Sequence, residues 1–275
     1  MNEESRLIFW RDLFIEASEK VRKAVLPLFG TSEGGKKVGI SASGDVTKYI
    51  DKVAEDTLVN FLSEKGVSFI LVSEELGVRC FGDSPEGFVV VDPIDGSENA
   101  ARGVPVFSVS LAFAHKDSLR DVLVGVVQDV IIGDLFTAIR NRGAFFNGKQ
   151  IKGSKKTSLA DSLVGFDLSG IDASYVQKVR NAIVGVRRVR HLGSNAYEMC
   201  LVAKGAYDAF VDLRGKLRVT DLAAATLIIE EAGGVVIDEH GNPLNAKLDP
   251  KSRVAFIAAG NRTIAKEILK LIKKK

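Results

Sequence analysis

Residues 88–99 read FVVVDPIDGSEN, and this stretch predicts both a buried strand and the chemistry at its end. The run Phe88–Val91 is continuously apolar and mostly β-branched, which is typical of a strand that is buried on both faces of a sheet. It is followed at once by Asp92 and Pro93, and then by Asp95. Ligand sites concentrate where a buried strand meets a loop, so the two carboxylates are candidate functional groups.

The turn after this run has the groups that a metal ion and a phosphate need. Asp92 and Asp95 stand on either side of the Ile94 carbonyl, and together these oxygens can hold magnesium, which prefers hard oxygen ligands. Gly96 and Ser97 follow, and their backbone N–H groups suit a phosphate oxygen. Asp-Pro and Asp-Gly also form ordinary turns with solvated or capping carboxylates, so on this stretch alone both interpretations stay open.

The composition describes a folded protein rather than a disordered or fibrous one. Hydrophobic residues make up 46% of the 275 residues, and charged residues 27%. The net charge of +3 is too small to argue for a nucleic-acid partner. A charged beginning and the lack of a long apolar run predict no membrane association and a cytoplasmic location. Cys80 and Cys200 show no metal-binding spacing, and we expect both to be core thiols.

Hydrophobic periodicity predicts a mixed α/β chain. The main expected elements are helices over 5–28, 46–65, 221–232 and 262–273 and strands over 69–72, 88–91, 104–114, 122–127 and 209–211. We expect a single catalytic domain over residues 1–275. The polar stretch 152–158 divides it into a metal-site half, roughly 1–155, and a substrate-specificity half, roughly 156–275.

Four segments carry a resemblance to a known family. Residues 92–99 resemble the DPxDG(T/S)xN signature of the inositol monophosphatase and fructose-1,6-bisphosphatase superfamily, and the chain looks like its archaeal-type members with both activities. Glu74-Glu75 is similar to the family's upstream acidic pair, and residues 44–51 to the segment before it. Residues 220–224, TDLAA, are similar to its WDxAA motif. The resemblance covers residues 40–240 approximately.

The resemblance implies a layered αβαβα sandwich and about two or three Mg²⁺ ions. It implies these metal ligands: Glu74, Asp92, the Ile94 carbonyl, Asp95 and Asp221. Asp51, Ser97 and Glu74 would activate and position the attacking water, and Gly96 and Ser97 would bind the phosphate. At the start of an apolar helix, Asp221 has the alternative role of a helix cap. Thr220 stands where the family has tryptophan, and we expect this difference to affect packing more than metal binding.

The resemblance also implies where the substrate lies. Its predicted contacts are Asp95, Asn195, Ala196 and Asp212. A nearby run of basic residues that includes Arg187, Arg188 and Arg214 suggests that one or two arginines hold a second phosphate, as fructose 1,6-bisphosphate requires. The alternative is that these arginines belong to the exposed faces of surface strands.

The resulting functional prediction is a Mg²⁺-dependent phosphomonoester hydrolase that uses in-line attack by a metal-activated water. The expected substrate is a small phosphorylated metabolite, inositol 1-phosphate and/or fructose 1,6-bisphosphate. One alternative is a phosphatase of 3′-phosphoadenosine phosphates or of NADP from the same superfamily. A remote alternative is a non-catalytic metabolite-binding protein with this fold. Family members of this size are commonly homodimers, and we expect the same here.

Overall fold

A computed structural model describes residues 2–274; the first and last residues of the predicted domain lie outside the described residues. A two-stranded hairpin, β1 (Lys37–Ile40) and β2 (Val46–Lys48), precedes the first large sheet. The strands of that sheet are β3 (Phe69–Ser73), β4 (Gly77–Phe81), β5 (Phe88–Asp95), β6 (Ser108–Ala114), β7 (Val122–Asp129), β8 (Leu135–Ile139), β9 (Ala144–Phe146) and β10 (Lys149–Ile151). Their order is β10-β9-β8-β7-β6-β5-β3-β4.

A second sheet follows in the chain, in the order β12-β11-β13-β15-β14. Its strands are β11 (Leu163–Phe166), β12 (Arg188–Arg190), β13 (Ala209–Arg218), β14 (Val235–Ile237) and β15 (Arg253–Ala259). The helices are α1 (Glu3–Val25), α2 (Tyr49–Glu64), α3 (Ser97–Arg102), α4 (Ala173–Gly185), α5 (Asn195–Ala203), α6 (Val219–Glu231) and α7 (Arg262–Lys273).

The alternation of side chains along the strands assigns each helix to a layer. In β5, Val89 and Val91 pack into a core with α1 and α2, whereas Val90 points to the opposite face, toward α5 and α6. In β15, Phe256 packs toward α5 and α6, whereas Ile257 joins α4 and α7. The layers are therefore α1/α2, first sheet, α5/α6, second sheet and α4/α7. This order confirms the predicted αβαβα sandwich.

The middle layer explains the composition of its helices. Helix α6 is buried from Val219 to Ile229, because it is covered by a sheet on each side. A helix in that position must be apolar on all sides, and its side chains must be small where it closely approaches a sheet. A Cβ on Gly125 of β7 would lie 2.7 Å from the Ala224 carbonyl oxygen, so α6 contacts the first sheet almost backbone to backbone.

Several predicted boundaries are wrong. The helix expected from Val46 begins at Tyr49, because residues 46–48 pair with β1. The strand expected from Val104 begins at Ser108. The strand expected over 209–211 continues to Arg218, with an irregular register between Asp212 and Leu217.

Two further expectations concern single positions. Cys200 is buried as predicted, but Cys80 is exposed, because β4 is the last strand of its sheet. Strand β5 does not end at Asp92 but continues through the turn to Asp95. Among residues 2–274, no helix is long and apolar enough to cross a membrane.

Candidate active site

A bulge in β5 brings the two motif aspartates to the same side of the sheet. Residues three apart in a regular strand point to opposite faces. Here Asp92 pairs with Ser110 and Asp95 with Ser108, so three steps along β5 match two steps along β6. The extra residue reverses the alternation, and both carboxylates point into the interior of the molecule.

Three carboxylates from three different elements converge beside this bulge. Glu74 directly follows β3, Asp92 lies in β5, and Asp221 lies in the first turn of α6. One oxygen from each lies within 4.8 Å of the other two, and all three residues are buried. Buried anions at this spacing need a cation. The three acids that the sequence predicted from separate segments therefore meet at one point.

The electrostatics of the cluster reflect burial and like charges. Burial raises the pKa of Glu74 well above its usual value; Arg218 opposes the rise, and Asp221 adds to it. The pKa of Asp92 is also raised well above its usual value by burial, and then by Glu74 and Asp221. A divalent ion would remove this penalty by compensating the negative charge. The donor set, carboxylate oxygens alone, is the kind that hard divalent ions prefer.

Asp221 does not act as a helix cap. Its Oδ1 accepts hydrogen bonds from the side chains of Thr220 at 2.9 Å and Arg218 at 3.1 Å, and it accepts none from a helix N–H group among the described residues. The Thr220 hydroxyl therefore contacts the carboxylate that is predicted to bind metal, and the expectation that threonine affects packing more than metal binding stays a prediction.

Asp95 lies next to this cluster but is used differently. Its carboxylate accepts hydrogen bonds from Ser194 Oγ at 2.6 Å and from the backbone N–H groups of Asn195 at 3.0 Å and Ala196 at 2.8 Å. Ser108 Oγ donates a fourth, at 3.2 Å. Burial raises the pKa of Asp95 to about 6 against the effect of these donors. Asp95, Asn195 and Ala196 are thus adjacent, as expected, but Asp95 is not one of the three converging acids.

Asp51 and Ser97, which are predicted to position the water, lie next to each other. Asp51, in the first turn of α2, accepts a hydrogen bond from the Lys48 N–H through Oδ2, and its buried Oδ1 has no hydrogen-bond partner among the described residues. Burial raises the pKa of Asp51, and the neighbouring Ser97 hydroxyl lowers it. Ser97 donates a hydrogen bond to the Ile94 carbonyl at 3.2 Å.

Gly96 is required by the backbone and by packing. Its φ of +100° is in the left-handed region, and a Cβ there would lie 3.0 Å from the Gly193 carbonyl oxygen. The side chain of Asn99 donates to the carbonyls of Val106 and Leu192, both at 2.7 Å. The DGSEN sequence thus fastens the turn against the loop that precedes α5.

A polar cleft of about 230 Å³ opens beside the carboxylates, lined in part by Asn195, Arg214, Lys216, Arg218 and Arg253. Arg214, a predicted substrate residue, lines this cleft, but its charge is already balanced. Its guanidinium binds both oxygens of Asp212, at 2.9 and 2.6 Å, and Asp167 at 2.5 Å.

Three predicted substrate residues have other surroundings. Asp212 is completely buried and contacts Arg214 rather than the cleft. Arg187 lies at the far end of the second sheet, 3.5 Å from Asp161, and Arg188 pairs with Leu163 at the same end. The structure therefore does not bring Arg187 and Arg188 to the carboxylates, and the hypothesis that they hold a second phosphate stays an untested prediction that this placement does not support.

Arg218 is the residue of the site whose role the sequence did not reveal. It binds Asp221, Glu74 and Asp45 at once. Its position three residues before Asp221 on the same stretch of chain was the available signal, because residues i and i+3 meet at a helix start.

Comparisons with known proteins agree with this geometry. The profile described as the inositol monophosphatase family matches residues 3–275. A fructose-1,6-bisphosphatase/inositol-1-monophosphatase of Methanothermobacter thermautotrophicus is 41% identical over 98% of this chain and 99% of its own length. A fructose-1,6-bisphosphatase of Pyrococcus furiosus is 37% identical over 97% of this chain and 99% of its own. A bifunctional NADP phosphatase/NAD kinase of Methanococcus maripaludis is 34% identical over 94% of this chain but 48% of its own length.

Solved structures give the same result. One described as an inositol monophosphatase-fructose 1,6 bisphosphatase is 34% identical, with a TM-score of 0.84 over 95% of this chain and 99% of that one. A Pyrococcus horikoshii protein described as similar to inositol-1 monophosphatase is 32% identical, with a TM-score of 0.83 over 98% of this chain and 100% of that one.

Proposed function

The chain belongs to the inositol monophosphatase family and is a phosphomonoester hydrolase of small phosphorylated compounds, and from this premise we propose that its substrates are fructose 1,6-bisphosphate and inositol 1-phosphate, with Mg²⁺ as its metal. The observation that carries the proposal is the meeting of Glu74, Asp92 and Asp221 within 4.8 Å beside a polar cleft. The names of the archaeal relatives support both substrates.

The residues present fit a divalent metal centre. Glu74, Asp92 and Asp221 would hold the ion through one oxygen each. The negative charge of Asp51 is close enough to Glu74 to raise the pKa of Glu74, and the buried Asp51 Oδ1 has no hydrogen-bond partner among the described residues. Asp95 and the Ile94 carbonyl remain proposed ligands, since Asp95 Oδ1 and the Ile94 oxygen each accept only one hydrogen bond among the described residues and keep a second lone pair. When bound, Mg²⁺ supplies positive charge to the phosphate oxygens and lowers the pKa of water.

The chain's own groups supply position and proton acceptance. Asp51 Oδ1, which is buried and has no hydrogen-bond partner among the described residues, is the proposed acceptor of a proton from the water that attacks phosphorus. Ser97 stands beside it and can orient the same water. The backbone N–H groups of Gly96 and Ser97 are the proposed contacts of the phosphate oxygens. Positioning and charge compensation are the main contributions that phosphoryl transfer needs from a protein.

The charge of the cleft favours a substrate with a second phosphate. Arg214 is compensated by Asp167 and Asp212, so it adds no net positive charge. Lys216 and Arg253 line the same cleft; they donate hydrogen bonds to the carbonyls of Gly170 and Pro250, and neither forms an ion pair with a carboxylate among residues 2–274. Inositol 1-phosphate carries its only phosphate at the metal centre and leaves these cations unused. Fructose 1,6-bisphosphate brings a second dianion for them to bind.

Hydrolysis of NADP is the second candidate, because a relative named bifunctional NADP phosphatase/NAD kinase aligns along 94% of this chain. The unpaired cations of the cleft suit its diphosphate as well. The division of the chain near residues 152–158, a homodimeric assembly and a cytoplasmic location stay predictions from the sequence and its resemblance.

The test is release of inorganic phosphate from four compounds: fructose 1,6-bisphosphate, inositol 1-phosphate, NADP and 3′-phosphoadenosine 5′-phosphate. We expect turnover of the first two with Mg²⁺, loss of turnover with a chelator, and no turnover by Asp92→Asn. Faster release from NADP would replace the proposal by its second candidate. Absence of release from all four, with the protein folded, would favour a binding protein.

A further inference from the structure

Arg218 stands among the carboxylates that are proposed to bind the metal. Its Nε lies 3.1 Å from Asp221 Oδ1, and its Nη1 binds both Glu74 Oε1 and Asp45 Oδ2. The side chain is only 18% exposed. Arg218 therefore has the surroundings of a buried ion pair with several anions, not those of a surface arginine.

This position has an electrostatic reason. Three buried carboxylates within 4.8 Å of one another cannot all stay ionised without a nearby cation. The guanidinium is planar, permanently charged and has five N–H donors, so a single side chain can serve two acids of the centre and a third at its rim. Arg218 lowers the pKa of Glu74 and of Asp92, in opposition to the larger effect of burial.

The same contacts conflict with a bound divalent ion. Arg218 contacts the carboxylates of Glu74 and Asp221, and both of these carboxylates are among the three that converge on the proposed metal position. A guanidinium and a divalent cation that share these acids repel each other at short range in a poorly solvated site. Both cannot have their best contacts with Glu74 and Asp221 at the same time.

We propose that Arg218 is an internal counter-ion of the carboxylate centre and competes with the divalent metal for Glu74 and Asp221. This inference rests on the proposed function in one respect: it assumes that Glu74 and Asp221 bind the metal. Arg218 stabilises the protein when metal is scarce and weakens metal binding, because each ion must displace the guanidinium. Asp45, in the turn between β1 and β2, shares Arg218 and is therefore tied to the same exchange.

The experiment measures metal affinity and stability in the variant Arg218→Gln. Protein freed of metal with EDTA and dialysed is titrated with Mg²⁺ in a calorimeter, and its thermal unfolding is followed with and without Mg²⁺. We expect Arg218→Gln to bind Mg²⁺ about tenfold more tightly than wild type, because no buried pair must be broken first. Its melting temperature falls in the chelated protein and recovers with Mg²⁺.

A matched control is Arg140→Gln. Arg140 is also a partly buried arginine; it contacts Glu230 at 2.6 Å and the Val122 carbonyl, away from the centre. It should lower the melting temperature equally with and without Mg²⁺ and leave Mg²⁺ affinity unchanged. A loss in Arg218→Gln that does not recover with Mg²⁺ would show an ordinary structural role and overturn the inference.

Equal or weaker Mg²⁺ binding by Arg218→Gln would also overturn the proposal. If that variant does not fold, Arg218→Lys is the substitute, since lysine keeps the charge but lacks the forked donors. Its Mg²⁺ affinity should then lie above that of wild type, and affinity at or below wild type counts against competition. If wild-type protein releases phosphate but Arg218→Gln binds Mg²⁺ no more tightly, the competition proposal fails and the proposed function stands. Failure of the proposed function would instead appear as no phosphate release by wild-type protein.

Discussion

The backbone N–H of Ala196 donates a 2.8 Å hydrogen bond to Oδ2 of Asp95. Because Asp95 ends β5 and Ala196 lies in the first turn of α5, this bond joins the first sheet to the middle helical layer. The carboxylate accepts from Ser194 and Asn195 as well, so it satisfies donors at the beginning of the helix. One residue of the DPIDGS turn thus holds together the segments from which the proposed substrate cleft is built.

The variant Asp95→Asn should lose stability as well as activity. Both oxygens of Asp95 accept hydrogen bonds, but asparagine replaces one of them with an NH₂ group, which can only donate. At least one buried N–H or hydroxyl group therefore loses its acceptor. We expect the free energy of unfolding to fall by about 2–4 kcal/mol, measured by urea denaturation in the presence of EDTA. Ser194→Ala removes one of these bonds and should cost only about 1 kcal/mol. Equal stability of Asp95→Asn and wild type would contradict this account.

Asp92→Asn should have the opposite effect on stability. Among the described residues, Asp92 accepts one hydrogen bond, from the Ile94 N–H at 3.1 Å, and its charge is opposed by Glu74 and Asp221. Removing that charge relieves repulsion in a buried site, so the chelated protein should gain about 1 kcal/mol. Phosphate release should be lost because a proposed metal ligand is gone.

The control for Asp92→Asn is Asp56→Asn, which changes an exposed acid of α2 that pairs with Lys52. It should leave both stability and phosphate release close to wild type. If Asp92→Asn is less stable than wild type in EDTA, the Asp92 carboxylate makes favourable contacts that outweigh its repulsion by Glu74 and Asp221, and this prediction is wrong.

Local patterns predicted the elements whose own residues determine them. The regular apolar spacing from Leu7 to Val25 predicted α1, and the Val89–Val91 run predicted β5. Strand β2 was mistaken for the start of α2, because Val46 and Thr47 acquire strand geometry only by pairing with β1. The end of β13 was missed for the same reason: Arg214, Gly215 and Lys216 break the apolar alternation, and pairing with β15 resumes beyond them.

For the site, the motif predicted which acids matter but not how they are arranged. Glu74, Asp92 and Asp221 come together as expected, although each lies on a separate element. The bulge between Asp92 and Asp95 could not be predicted, since it depends on the register with β6. Arg187 and Arg214 are both basic, but they lie at different ends of the second sheet. Strands β12 and β13 both run parallel to β11, and Arg187 precedes β12 whereas Arg214 lies beyond the part of β13 that pairs with β11. Charge alone therefore did not identify the cleft.

Glu55 gives a prediction for the pH dependence of stability. It is buried in α2 and accepts a hydrogen bond from the Ser73 hydroxyl, and burial raises its pKa from the ordinary value of 4.5 to about 7. The folded state therefore binds a proton more tightly than the unfolded state. This contribution to stability is fully present below pH 4.5 and is lost as pH rises through about 7. The amount at stake is about 3 kcal/mol at most, at about 1.4 kcal/mol per pKa unit.

Glu55→Gln should remove this dependence. The free energy of unfolding of the variant minus that of wild type should be larger at pH 8 than at pH 5. Urea denaturation of chelated protein at several pH values between 5 and 8 measures this difference. Glu98→Gln serves as the control, because Glu98 is an exposed acid outside this core, and the stability it contributes should not fall over the same range. A wild-type minus Glu55→Gln difference that is constant from pH 5 to pH 8 would show that Glu55 does not titrate there.

The double variant Lys216→Ala, Arg253→Ala tests what binds a second phosphate. Both cations line the cleft without a carboxylate partner among residues 2–274, whereas Arg214 is held by Asp167 and Asp212. Loss of charged contacts worth about 1.5–3 kcal/mol should raise KM for fructose 1,6-bisphosphate by at least about tenfold. KM for inositol 1-phosphate should change little, because its only phosphate lies at the carboxylate centre.

The comparison variant is Arg187→Ala, Arg188→Ala, at the far end of the sheet, which should leave both KM values as in wild type. If instead this variant raises KM for the bisphosphate and the cleft variant does not, the second phosphate lies elsewhere on the protein.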